Sequence, residues 1–293
     1  MIRYLVTGGC SFSHRPESWI SNLSTHLEKT NPKMESIHTG YPSQGQEMIQ
    51  KKVILNLMKL IDSGINPKEI LAVVMWSGTA RKCWYVDNPS IINQMVTGWG
   101  RFFGGMTPQF LDLEDKIYGT PSQFESAYKD KFNYNPHGGW YFTVNGSDCP
   151  VEFVQQHYLL DRRVPGIGKI HSSLENMIML QNFCKLHNIP LVQQYFMDSV
   201  VEDIENHKDN QLINYLYKQL DTNGIIKVGM FEYLHVLMGV KKENIFDITH
   251  QSRLDIDAGR GYFNKDGFHP GDLGKTLWCE NILFPFMKEH HYV

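Results

Sequence analysis

Short apolar runs alternate along the chain with longer stretches in which apolar residues recur every third or fourth position. Residues 2–7 are apolar and β-favouring and end at Gly8-Gly9, which predicts a first buried strand. Residues 17–29 place Trp19, Ile20, Leu23 and Leu27 at helical spacing. A second strand is predicted around 35–39, before Gly40. A helix follows over 46–63, carrying Met48, Ile49, Val53, Leu57, Leu60 and Ile61 and stopped by Gly64. Residues 70–76 are apolar throughout, as in a strand buried on both faces. Later in the chain the pattern predicts a helix over 171–188, a strand over 190–196, helical structure over 199–220 and 230–238, and a short strand at 245–248. A last helix spans 271–290, bent or ended by Pro285. Alternation of this kind argues for an α/β fold with a parallel sheet and helices on both faces.

Between about 85 and 168 the alternation is lost and glycine, proline and aromatic residues dominate. This stretch is too apolar for a linker and reads as an insertion over the core, functional or with structure of its own. Its aromatics, among them Trp99, Phe102, Phe103, Trp140 and Tyr141, suit a small internal core or a lid that stacks on sugar rings. The expectation is a single domain over 1–293 that carries this insertion.

The composition narrows the classes. With 293 residues, 42% of them hydrophobic and 20% charged, the chain has enough apolar surface for a large core and is not of a disordered type. A formal net charge of -3 offers no broad basic field, so neither nucleic acid nor an acidic membrane is an expected partner. The five cysteines are odd in number and form no CxxC pair, so neither a disulfide scaffold nor a zinc site is expected and a reducing compartment fits. No run approaches the roughly 20 apolar residues that span a bilayer, and the first run is too short for a signal peptide. A soluble, cytoplasmic protein is expected.

In open parallel sheets ligands gather at the carboxyl ends of the strands. Four segments with polar chemistry fall at such places: residues 9–14 (Gly-Cys-Ser-Phe-Ser-His), 40–45 (Gly-Tyr-Pro-Ser-Gln-Gly), 76–81 (Trp-Ser-Gly-Thr-Ala-Arg) and 266–270 (Asp-Gly-Phe-His-Pro). A serine between a strand and a helix has backbone N–H groups nearby to receive negative charge. To act as a nucleophile it needs a histidine to take its proton and a carboxylate to orient that histidine. Each signal has a plain structural reading as well. Ser11 alone reads as a helix cap, Asp266 and His269 as a turn, Gly45 as a tight turn, Arg81 as a surface ion pair, Cys10 as a small buried residue and His14 as a surface residue.

Together these blocks resemble the SGNH (GDSL-like) hydrolases. Gly9-Cys10-Ser11-Phe12 is similar to the Gly-Asp-Ser-Leu opening of that family, and Asp266-x-x-His269-Pro270 to its terminal Asp-x-x-His block. Gly45 fits the second-block glycine, and Gly78-Thr79-Ala80-Arg81 stands where the family has Gly-x-Asn-Asp. The resemblance covers 1–84 and 171–293, and the opening with a following tryptophan resembles small proteins of this type common in phages and marine bacteria. It implies a three-layer α/β/α sandwich with a mainly parallel, flavodoxin-like sheet of about five strands. It also implies an esterase with Ser11 as nucleophile, His269 as base and Asp266 orienting it. Gly45 and a group among Ser77, Gly78, Thr79 and Arg81 would serve the oxyanion or substrate. No metal or other cofactor is implied. The substrate class is an ester, with an O-acetylated carbohydrate the specific expectation, and a virion is a second possible location. Two positions depart from the family. Cys10 replaces its aspartate and Ala80 its asparagine, and loss of such an oxyanion donor costs on the order of 100- to 1000-fold in rate.

Three rivals remain: an acyltransferase with the same triad, a non-catalytic carbohydrate-binding or phage assembly protein, and a Rossmann-like nucleotide-binding domain built on Gly8-Gly9. The last lacks a G-x-G-x-x-G run.

Overall fold

A computed structural model describes residues 2–13, 18–40, 44–79, 81–86, 106–109, 140–144 and 167–292. In chain order its elements begin β1 (Tyr4–Gly8), α1 (Trp19–Thr30), β2 (Glu35–His38), α2 (Gln46–Asp62) and β3 (Ile70–Trp76). Three strands follow, β4 (Lys82–Val86), β5 (Met106–Gln109) and β6 (Trp140–Val144). The second half runs α3 (Ile167–His187), β7 (Leu191–Tyr195), α4 (Ser199–Asn206), α5 (Gln211–Tyr217), β8 (Ile225–Gly229) and α6 (Met230–Leu237). It ends with α7 (His250–Asp257), α8 (Asp272–Trp278) and α9 (Phe284–Glu289). Among the described residues no helix is long and apolar enough to cross a membrane.

Five strands form one sheet in the order β2-β1-β3-β7-β8, and every pairing in it is parallel. All five carboxyl ends therefore lie along one edge. The chain steps from β1 outward to β2, then back across to β3 on the other side of β1. That reversal opens a crevice beyond the ends of β1 and β3, the usual ligand position in such sheets.

Strand periodicity explains the layers. Alternate residues of β3 face opposite ways. Leu71, Val73 and Met75 join Trp19, Ile20 and Leu23 of α1, Phe231 and Leu234 of α6 and Trp278 of α8 in one core. Ile70, Ala72, Val74 and Trp76 join Ile49, Val53 and Leu57 of α2, Leu174, Met177 and Leu180 of α3 and Val200 of α4 in the other. The sheet is thus flanked by helices on both faces, in agreement with a three-layer α/β/α fold. Polar residues inside β7 follow the same alternation. Gln193 accepts a hydrogen bond from the Trp76 indole N–H (2.9 Å), and its neighbour Gln194 accepts one from the Trp278 indole N–H (2.9 Å) on the other face. Each glutamine satisfies a buried indole that hydrocarbon would leave without an acceptor.

The sequence expectations hold for the first four strands and differ further on. Residues 199–220 form two helices, because Asn210 starts a new one: its side chain accepts from the N–H groups of Leu212 (3.1 Å) and Ile213 (3.2 Å). Residues 245–248, expected as a strand, are turns in which Ile245 plugs the core and Phe246 is exposed. The fifth strand is β8, an edge strand whose alternation is interrupted by the exposed Lys227. Helix α7 was not expected, because the residues it buries are Arg253 and Asp257 instead of apolar ones. The last helix is interrupted by a π turn at Cys279–Leu283, just ahead of Pro285. Within the expected insertion, β4, β6 and β5 pair antiparallel as a separate three-stranded sheet, and β4 begins slightly before residue 85.

Substituting Gln193→Leu leaves the Trp76 indole N–H buried without an acceptor. The expected loss of stability is about 1–3 kcal/mol, read as a lower midpoint in chemical denaturation at unchanged slope.

Candidate active site

Immediately beyond β1 the chain turns through Gly9-Cys10 into a short 3-10 turn, Ser11–Ser13, closed by Ser13 N–H donating to Cys10 O (2.8 Å). Ser13 turns inward, where its hydroxyl accepts from the indole N–H of Trp19 (2.9 Å). A side chain at Gly9 would overlap that of Ser13 and press on Met75 O at 3.2 Å, so the turn requires glycine there. Cys10 and Phe12 point into the core. These constraints leave Ser11 as the half-buried member of the turn.

The partners of Ser11 come from the loop between α7 and α8. Phe263 and Pro270 form an isolated antiparallel bridge, and Asn264 N–H donates to His269 O (2.8 Å), which closes the loop on itself. One oxygen of Asp266, Oδ1, accepts from the N–H groups of Phe268 (2.8 Å) and His269 (2.9 Å). The other, Oδ2, lies 2.6 Å from His269 Nδ1. His269 Nε2 lies 2.9 Å from Ser11 Oγ. A carboxylate accepts only, so Nδ1 carries the proton and Nε2 is left to accept from the serine hydroxyl. Burial tends to raise the Asp266 pKa, but the Phe268 N–H and the bonds to His269 outweigh it and hold the group below its ordinary value. Ser11, His269 and Asp266 thus form one unbroken line of hydrogen bonds. Cys10 is fully buried, in keeping with its reading as a small buried residue, and His269 Nε2 is engaged by Ser11.

Aromatic rings floor this line. Phe12 packs against His269 (centroids 5.2 Å apart), Phe268 (5.5 Å) and Phe196 (4.9 Å). Phe268 also meets His269 edge-on at 5.4 Å. Phe196 continues toward the end of β3, where a Cβ on Gly78 would sit 3.9 Å from its ring and where the Arg81 guanidinium lies 6.0 Å from its centroid. Arg81 also donates to Gln44 O (3.3 Å), and Gln46 Nε2 donates to Ser77 O (2.5 Å). Gly45, at the start of α2, is thereby tied to the segment after β3 from both of its neighbours.

The four candidates for the third-block role differ in availability. Thr79 turns its hydroxyl away, to Asp203 of α4 (3.1 Å). Ser77 is fully buried, and among the described residues its hydroxyl has no partner. Gly78 contributes backbone only, and Arg81 stands beside Phe196. Gln44, unmarked by any sequence pattern, is fully buried, and among the described residues neither end of its amide has a partner. No sequence signal marked Phe12, Phe196 or Phe268 as part of the site. His14, Ala80, Trp99, Phe102 and Phe103 lie outside the described residues. Among the described residues no group of three or more His, Cys, Asp or Glu is placed to hold a metal ion.

A second polar group lies at the same sheet edge, beyond β7 and β8. Asp198 accepts from Gly229 N–H and pairs with Lys242 (2.8 Å), which also meets Glu202 (3.1 Å). Glu232 is buried beside it. Burial, followed by the Asp198 charge, pushes its pKa from 4.5 up to about 7. The folded chain therefore holds this proton between about pH 4.5 and 7 while an unfolded chain releases it, so Glu232 stabilises the fold at low pH and that contribution is lost as pH rises through 7. Glu232→Gln is expected to remove this decline, so that unfolding free energies of variant and parent diverge in the variant's favour between pH 5 and pH 8 in denaturant titrations.

Compared with family models, with curated proteins and with solved structures, the chain matches none of them, so the case for a function rests on the site's own geometry.

Proposed function

We propose that the chain is a serine esterase of SGNH type, with Ser11 as nucleophile, His269 as general base and acid, and Asp266 as the group that orients His269. The observation that carries the proposal is the continuous bond line from Asp266 Oδ2 through the imidazole to Ser11 Oγ, with separations of 2.6 and 2.9 Å. A purely structural turn at 266–269 needs no partner 258 residues away, and a cap at Ser11 needs no imidazole.

The reaction follows from the polarity of that line. Ser11 Oγ attacks the ester carbonyl while its proton passes to His269 Nε2. The imidazolium is stabilised by the ionised Asp266, whose lowered pKa keeps it charged. Negative charge on the former carbonyl oxygen is met by the backbone N–H of Ser11 and that of Gly45, with a third donor from the segment after β3. His269 then returns the proton to the leaving alcohol oxygen. Water repeats the sequence on the acyl-serine and restores Ser11.

His269 and Asp266 keep 33% and 49% of their side-chain surface exposed, which supports water as the acceptor over an excluded-water transferase site. The ester class is carried over from the resemblance of residues 9–12 and 266–270, and within that class the substrate we propose is an O-acetyl ester of a carbohydrate.

Purified protein is expected to hydrolyse short-chain p-nitrophenyl esters and to release acetate from O-acetylated oligosaccharides. Ser11→Ala should lower kcat by at least ~1000-fold and Asp266→Asn by about 100-fold or more, both with native circular dichroism. Parent and Ser11→Ala proteins with equal rates would refute the assignment.

A further inference from the structure

Arg253, on α7, is 3% exposed, and its guanidinium sits inside the protein. Its charge is met by two ring faces, Phe231 at 4.8 Å and Phe263 at 5.6 Å, and by three acceptors. Nε donates to His235 Nε2 (2.6 Å), Nη2 to Ile248 O (3.3 Å) and Nη1 to Gly267 O (2.5 Å). His235 is itself oriented, its Nδ1–H donating to Phe231 O (2.7 Å). That bond leaves Nε2 as the acceptor Arg253 needs. Burial foremost, with the Arg253 charge adding to it against the bond to Phe231 O, pushes the His235 pKa down to about 4 and keeps the ring neutral.

The carbonyl that Arg253 grips is half of a particular peptide. The C=O of Gly267 and the N–H of Phe268 belong to one planar unit, so fixing the oxygen fixes the direction of the N–H. That N–H is the one that donates to Asp266 Oδ1 at 2.8 Å. A charged donor on the oxygen also polarises the peptide and strengthens its N–H as a donor. The peptide needs such a hold. Gly267 has φ +64, and a Cβ there would come within 2.5 Å of His250 O, so the chain passes in a conformation and a space that only glycine fits.

We propose that Arg253 is a positioning residue for the Ser11 site: by gripping the Gly267–Phe268 peptide it holds the Asp266 carboxylate, and through it the His269 ring, in line with Ser11. As a statement about catalysis this rests on the esterase reading above. As a statement about the Asp266–His269 bond it stands apart from it.

The test uses Arg253→Lys, which keeps the charge and loses the three-way fork. Two NMR readouts need no substrate: the downfield proton resonance of the His269 Nδ1–H···Asp266 bond, and the titration of the Asp266 side-chain carboxyl carbon. A third is the split between kcat and KM on a p-nitrophenyl ester. In the variant the downfield resonance should broaden or vanish, and the Asp266 titration should move up toward the ordinary carboxylate range. kcat should fall ~10- to 100-fold with KM changed by less than about two-fold. A folded variant with resonance and Asp266 titration as in the parent would overturn the proposal, whatever its stability. An inactive parent protein would sink the esterase reading and leave the two NMR readouts to decide on Arg253. Should Arg253→Lys fail to fold, His235→Gln shifts the acceptor for Nε with Arg253 in place. The same displacements, smaller in size, are expected there, and their absence would equally overturn the proposal.

Discussion

The hydrogen bond between Ser11 and His269 joins residues 258 positions apart, and the architecture can be understood as what that bond requires. Ser11 follows β1, the strand at which the strand order reverses, and His269 lies in the loop that enters α8. The helices that follow each residue are joined. Asn22 of α1 donates to the Thr276 hydroxyl of α8 (3.3 Å), and Trp19 and Trp278 share one core. Trp278 is in turn bonded to Gln194 on the central part of the sheet. Packing on one face of the sheet therefore sets the distance between Ser11 and His269, at a separation where a few tenths of an ångström decide whether a proton can pass.

The line is also supported from below and behind. Phe12 supplies a ring floor shared by His269, Phe268 and Phe196, so the imidazole rests on the residue next to Ser11. Behind Asp266, backbone N–H groups of its own loop occupy Oδ1 and leave Oδ2 to the imidazole. The carboxylate is half exposed, yet its direction is set by the fold and not by water. Such preorganisation separates a reactive serine from one that merely caps a turn. The Asp198–Glu232–Lys242 group at the same edge meets the opposite condition, a carboxyl for which burial and a neighbouring charge outweigh the donors near it, and Glu232 responds by holding its proton.

What could be read from the sequence, and what could not, divides by the kind of signal involved. Ser11, Asp266 and His269 were legible because each sits in a short linear block at a strand end or helix start, where local order maps onto geometry. β1 and β3 were legible because they are buried, nearly unbroken apolar runs, whereas β2, mostly polar and at most half-buried, and β7, which carries Gln193 and Gln194, were legible from their place between helical patterns. β8 escaped notice because Lys227 interrupts its pattern, and 245–248 misled because three apolar residues in four, Ile245, Phe246 and Ile248, mimic a short strand. Helix α7 and Arg253 gave no apolar signal, since the buried face of that helix is built from a guanidinium and a carboxylate. Thr79 looked like a candidate donor by position, but its hydroxyl is committed to Asp203, a contact 124 residues distant that no local pattern encodes. Gln44 was invisible for the same reason: its burial depends on the packing of two loops.

The most direct test of the central claim is covalent. The intact protein is treated with a fluorophosphonate, and the modified peptide is located by mass spectrometry, in the parent and in His269→Ala. The account predicts a single adduct on Ser11 in the parent, formed at a rate that drops sharply when the imidazole is removed. A parent protein left unmodified at Ser11, or a Ser11 labelled equally fast with and without His269, would contradict it.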